Sequence, residues 1–365
     1  MTTWRNCVKQ ARLLFLFTVT ITTFSAYLHA QDEDGDMLTP EQIAFNAAVK
    51  NCVLVLEETG IVNMEDRLVE RYCQTKILAR DRNLGRFAKR IMAEKATELN
   101  PFVITPHEIS YLMPITITDN FNKRPYQVYD IPISDQVEEI NHFTDGMSEL
   151  EAKYQISLKV PLRTSSLFIR GDAIYFAMTV QAWWQIYSHQ ISKPFRETNY
   201  KPEIFYLAPL PFQLFGNSFG FSVSLEHQSN GQFQGLSRSW NRAHFALIYD
   251  TDDWSGGIKL WHRFEEPEKE FPLSAKGDDN PDILDYMGNY EIKLAYAIND
   301  DHKLSSTIRK NWQTRNGAIE LNYTFPFLGR LRGFMQYFSG YGESLIDYNH
   351  KQQKLGFGLA LTEIF

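Results

Sequence analysis

Apolar and polar residues alternate with a period of two along most of this chain, and the polar face carries charge. In Lys153–Leu162, Tyr154, Ile156, Leu158, Val160 and Leu162 alternate with Gln155, Ser157 and Lys159. Ile174, Phe176, Met178, Val180 and Trp184 share one face of Ala173–Trp184. The same pattern puts Tyr290, Ile292, Leu294, Tyr296 and Ile298 against Glu291 and Lys293, and Ile319, Leu321, Tyr323 and Phe325 against Glu320, Asn322 and Thr324. An earlier strand is expected in EISYLMPITIT, and Leu355, Phe357, Leu359 and Leu361 lead to a terminal Phe365. A period of two is the signature of β-strands. A soluble sandwich alternates too, but recurring Glu, Lys, Arg and Asn on the second face fit a polar lumen behind a lipid-facing wall. The fold class expected is all-β: an antiparallel transmembrane β-barrel of about 12 strands, with a short N-terminal helical extension.

Composition agrees. Beyond the N-terminus no apolar run approaches the ~20 residues of a spanning helix, and mean hydropathy is −0.34. A bilayer protein without such helices must be a closed sheet, because backbone groups cannot go unpaired in lipid. Aromatic residues make up 14 % of the chain, which suits interfacial girdles. A net charge of −7 gives no electrostatic reason to expect nucleic acid.

Residues 1–30 read as a secretory signal: Arg5, Lys9 and Arg12 precede the apolar Leu13–Phe24, and Ala30 is a plausible last residue before cleavage, with Leu28 at −3 in place of a small side chain. Residues 31–99 form a mainly helical, periplasmic extension, with Phe45, Val49, Cys52, Val53 and Leu56 at three-to-four spacing. Residues 100–365 form the barrel. With the signal removed, Cys52 and Cys73 are the even pair left of three cysteines. In an oxidising compartment they suggest a disulfide, reduced thiols being the alternative.

One hairpin, FSVSLEHQSNGQFQGLSRSWNRAHFALIY over Phe221–Tyr249, carries polar residues on its apolar face. His227 and Ser229 continue the face of Phe221, Val223 and Leu225, and Asn241 shares that of Ala243, Phe245 and Leu247. If the hairpin closes symmetrically about Gln234, His227 lies directly across from Asn241, and paired Cβ atoms in such positions are about 4.5–5.5 Å apart. That is the layout of a nucleophile, a base and an orienter, with Gly231 placed to offer a free N–H to an oxyanion. A polar hairpin tip is the plainer alternative. On the opposite face, Glu226, Arg238 and Arg242 are expected to form ion pairs in the lumen.

HQSNG followed by SRSWNR resembles the active-site segment of the outer membrane phospholipase A family. WWQ at Trp183–Gln185, PFRETNY at Pro194–Tyr200, DDNPD at Asp278–Asp282, YMG at Tyr286–Gly288 and SGYGESLIDYN at Ser339–Asn349 extend the resemblance from about Asn100 to Phe365. It implies a calcium-dependent hydrolase of phospholipid acyl esters in a Gram-negative outer membrane, active as a homodimer. It assigns Ser229 as nucleophile, His227 as general base and Asn241 as orienter. Ca2+ ligation falls to Ser237, Gln232 (through its main-chain carbonyl, where the family often has Arg) and Ser192 of a partner barrel, with Asp279 at a second site. Few carboxylates imply modest calcium affinity. Val180 stands where the family often has a polar Gln at the dimer contact. The rival expectation is a passive barrel, a channel or structural protein with a degenerate triad.

Overall fold

The computed structural model describes residues 40–58, 69–70, 72–74, 77, 104–129, 143–163, 167–169, 172–210, 218–251, 253–271, 274, 276–329 and 331–362. The signal segment, the acidic stretch after it, most of 59–103 and the terminal Phe365 lie outside the described residues. The chain divides into two compact units, residues 1–59 and 60–365. The first holds helix α1, Pro40–Glu58, opened by a proline whose missing N–H costs nothing at a first helical position. Cys52 and Cys73 are both disulfide-bonded.

The second unit is a barrel. Its strands are β1 (Thr105–Pro106), β2 (Tyr111–Asp119), β3 (Leu150–Arg163), β4 (Ala173–Trp184), β5 (Phe195–Pro209), β6 (Ser218–Ser229) and β7 (Ser239–Asp250), followed by β8 (Trp254–Phe264), β9 (Tyr290–Ala297), β10 (Lys303–Lys310), β11 (Gly317–Leu328), β12 (Leu331–Tyr341) and β13 (Lys351–Ala360). A one-turn helix, α2 (Ile283–Met287), interrupts the β8–β9 connection. From β2 onward each strand pairs antiparallel with the next, and β13 pairs with β2, which closes twelve strands into a ring. The short β1 extends along β3 beyond the end of β2. The two longest connections, β2–β3 and β8–β9, lie at the same rim as the turn between β6 and β7.

The pleat assigns every alternating pattern to wall or lumen, with the sign of a soluble protein reversed. On β3 the side chain of Lys153 is only 1 % exposed while Leu158, five residues on, is 38 % exposed. Leu225 of β6 is 61 % exposed and its neighbour Glu226 is buried. A polar interior and an outward apolar band are what a bilayer demands. Aromatic pairs sit at the rims, among them Trp254–Tyr296, with ring centroids 4.3 Å apart, and Trp184–Phe195, at 5.1 Å.

Charges inside the ring are tied to one another. Glu343, on the β12–β13 loop, pairs with Lys153 of β3 at 2.8 Å and Lys354 of β13 at 3.1 Å. Arg196 of β5 bridges Glu151 of β3 and Asp347 of the same loop, each at 3.0 Å. The loop is thereby drawn into the long-loop mouth, where Leu345 and Ile346 are buried. Deeper in, the segment before β2 crosses the interior: Glu108 pairs with Lys201 on β5 at 3.0 Å and Lys293 on β9 at 3.2 Å, and His107 meets Glu203 at 3.1 Å. A cavity of about 420 Å³ remains between these groups. The expected Glu226–Arg242 pair is present, with the Arg242 guanidinium 3.7 Å above the Trp240 ring. Arg238 departs from expectation. It precedes β7, so its side chain follows the loop and not the pleat, and it donates to the carbonyls of Gly235 (3.0 Å) and Ser237 (2.6 Å).

Burial pushes the Glu343 carboxyl up, but the Lys153 and Lys354 ammonium groups outweigh it and hold the group well below the usual carboxylate range. A depressed carboxyl contributes stability above its unfolded value, and loses it as pH falls through the folded one. The guanidinium midpoint of the detergent-folded barrel should therefore stay level from about pH 8 to 5 and fall only in stronger acid. Glu343→Ala leaves two buried ammonium groups without this partner and should cost about 3–5 kcal/mol in the same measurement. With the lumen crossed and its mouth filled, planar-bilayer recordings should show no porin-like conductance steps.

Candidate active site

The HQSNG…SRSWNR hairpin pairs in the register expected from symmetry about Gln234. His227 lies opposite Asn241 and Ser229 opposite Ser239, while β5 supplies Tyr200 on the other side of Ser229. On the outer wall, beside Leu225, His227 is exposed, whereas Ser229 and Asn241 are half-buried. The imidazole Nδ1 stands 2.8 Å from Asn241 Oδ1. The Ser229 hydroxyl makes no hydrogen bond to any described residue, so the imidazole is already oriented while the hydroxyl is uncommitted. Catalytic hydrogen bonds often tighten only when substrate is bound.

Asn230 organises the turn beyond Ser229, and sequence reasoning passed over it. It is 2 % exposed. Its Oδ1 accepts from the N–H of Arg238 (2.9 Å) and of Gln232 (3.3 Å), and its Nδ2 donates to Leu236 O (2.8 Å). The clamp leaves Gly231 at φ +62°, a left-handed conformation that a Cβ disfavours, and the Gly231 N–H meets no acceptor among the described residues. Asn followed by Gly is a turn signal that could have flagged this clamp.

DDNPD ties the hairpin to β8 and to the β12–β13 loop. Asp278 accepts from Arg263 at 2.6 Å, Asn280 Oδ1 accepts from Ser239 N at 3.1 Å, and Asp282 accepts from Tyr348 at 2.6 Å. Beneath it, Trp240, Trp261, Ile283, Met287, Leu345 and Tyr348 form one apolar cluster that fixes the height of the hairpin.

Of the residues assigned to calcium, Ser237 and Asp279 come together: the Ser237 hydroxyl donates to Asp279 Oδ2 at 2.6 Å. The other Asp279 oxygen pairs with the Lys269 ammonium. A hydroxyl and a carboxylate side by side are hard oxygen donors of the kind calcium takes, and one carboxylate oxygen already faces a cation. Gln232 is half-buried within the same turn; Ser192 is exposed on the β4–β5 loop, at the same rim. Among the described residues no group of three or more His, Cys, Asp or Glu could hold a metal, so any site here depends on hydroxyl and main-chain oxygen. Two further contacts were not legible from sequence, Lys269 on Asp279 and Glu266 Oε1 3.0 Å from Asn241 Nδ2.

Known proteins share this sequence pattern and this fold. The sequence model of the phospholipase A1 family matches residues 87–361. Phospholipase A1 of Klebsiella pneumoniae is 35 % identical over 73 % of this chain and 85 % of its own length; that of Escherichia coli K12 is 33 % identical over 73 % and 84 %. The solved outer membrane phospholipase A of Escherichia coli superposes with a TM-score of 0.65 at 33 % identity, covering 75 % of this chain and 98 % of that one. A calcium-bound dimer of the Salmonella typhi outer membrane phospholipase gives 0.64 at 32 % identity over the same shares. The chain belongs to the phospholipase A1 family of outer-membrane β-barrel enzymes.

Proposed function

We propose that this barrel hydrolyses the acyl esters of membrane phospholipids with Ser229, His227 and Asn241, depends on calcium, and is activated by pairing with a second copy. The observation that carries the reading is the His227–Asn241 contact of 2.8 Å on the outward face of the ring, among side chains that meet lipid and not water.

Asn241 Oδ1 accepts the Nδ1 hydrogen, which leaves the Nε2 lone pair of His227 as the base. It takes the proton of Ser229 Oγ as that oxygen bonds to the ester carbonyl carbon. Negative charge moves to the former carbonyl oxygen, for which the Gly231 N–H is the available donor. The imidazolium returns its proton to the departing alcohol oxygen as the ester bond breaks, and water releases the fatty acid from Ser229 by the same sequence. Ser237, the Gln232 carbonyl and a partner's loop at Ser192 would hold a calcium ion that, when bound, supplies positive charge near the developing oxyanion, and Asp279 would serve a second calcium site beside it. Dimerisation is supported by the solved relative described as a dimer.

Fatty-acid release from phospholipid–detergent micelles, with calcium and with chelator, tests this. Ser229→Ala should lower the rate by at least about a thousandfold. Chelator should abolish release, and Asp279→Asn should raise the half-saturating calcium concentration severalfold. Release that survives Ser229→Ala would move the nucleophile elsewhere.

A further inference from the structure

Asn241 differs from a triad carboxylate in bringing no charge, and its amide can be turned either way. Turned wrongly, its NH2 would face His227 Nδ1, the imidazole would carry its hydrogen on Nε2, and the base would be blocked. The structure supplies the group that decides. Glu266 lies two residues beyond Phe264, the β8 residue opposite Asn241, and its Oε1 is 3.0 Å from Asn241 Nδ2. A carboxylate can only accept, so the NH2 must face Glu266 and Oδ1 must face His227. Nδ1 is then the nitrogen that bears hydrogen, and Nε2 is free toward Ser229. The position of Glu266 is itself fixed. Pro267 restricts the residue before it to extended backbone, and the Pro267 carbonyl accepts from Asp278 N at 2.8 Å.

We propose that Glu266 is the positioning carboxylate of this active site: through Asn241 it sets the tautomer of His227 and provides the anion that the Ser-His-Asn set lacks. The proposal rests on the triad reading above. When His227 takes the serine proton, the new positive charge faces an amide polarised by a carboxylate on its far side, and no group is required to change protonation except the imidazole. Other ionisable groups on the surrounding elements include Tyr200 on β5, His262 on β8, Arg238 on the hairpin loop, Glu265, Glu268 and Lys269 near Glu266, and Arg263 of β8, which is paired with Asp278; Lys201 and Glu203 of β5 and Lys259 of β8 line the cavity. Glu226, Arg242 and His244 of β6 and β7 point into the lumen.

The test compares Glu266→Ala and Glu266→Gln with the unaltered protein and with Ser229→Ala, each first shown to be folded by its heat-modifiable gel mobility. Glu266→Ala should lower kcat on the order of tenfold at unchanged KM. Glu266→Gln keeps an acceptor and should recover much of kcat. Both should move the acid limb of the kcat/KM profile to lower pH, because each removes a negative charge that favours the imidazolium. A purely structural role would not move that limb. In an Asn241→Ala background, Glu266→Ala should have little further effect. Glu266 variants matching the unaltered protein in kcat and acid limb, or a full additional loss on top of Asn241→Ala, would overturn the proposal while the triad stands. Activity persisting in Ser229→Ala would instead overturn the triad.

Discussion

A sheet that crosses hydrocarbon can leave no edge, since an unpaired N–H or C=O there costs several kcal/mol. The pairing of β13 with β2 meets that constraint, and the rest of the molecule follows from it. Once the ring is closed, each residue faces either lipid or lumen, and a slip of one position would exchange the two faces. Register is therefore held around the whole circumference. His227 faces Asn241 because β6 and β7 are each locked to a further strand, β5 and β8.

The same closure confines charge. Glu151, Lys153, Arg196, Lys354, Glu343 and Asp347 are almost fully out of water, and each is tolerable only because it has an opposite partner within about 3 Å. Since two of them sit on the β12–β13 loop, that loop cannot leave the mouth without stranding the others. The charges inside the ring thus brace the apolar cluster on which the hairpin rests, linking lumen electrostatics to the geometry of the outer wall.

What could be read from sequence was what periodicity encodes. β4 runs over Ala173–Trp184 as expected, and the hairpin register was given by matching alternation on both arms of a Gly-containing turn. Arg238 shows the limit. Extending the phase of Trp240 and Arg242 backward put it in the lumen, yet β7 begins only at Ser239, and ahead of that the pleat has no authority. Glu266, Lys269 and Asn230 were missed for the same reason. Glu266 meets a partner 25 residues away, Lys269 one 10 away, and Asn230 partners as far as 33 away, across irregular backbone where no repeat announces who meets whom.

The outward stance of His227 and Asn241 also sets the dimensionality of the encounter. Anything they act on must arrive sideways through one leaflet, at the depth of the hairpin, and leave the same way. Volume concentration then loses its meaning as the controlling variable. Mole fraction within the leaflet replaces it, and crowding by inert lipid dilutes the reactant as surely as added water would dilute a soluble one.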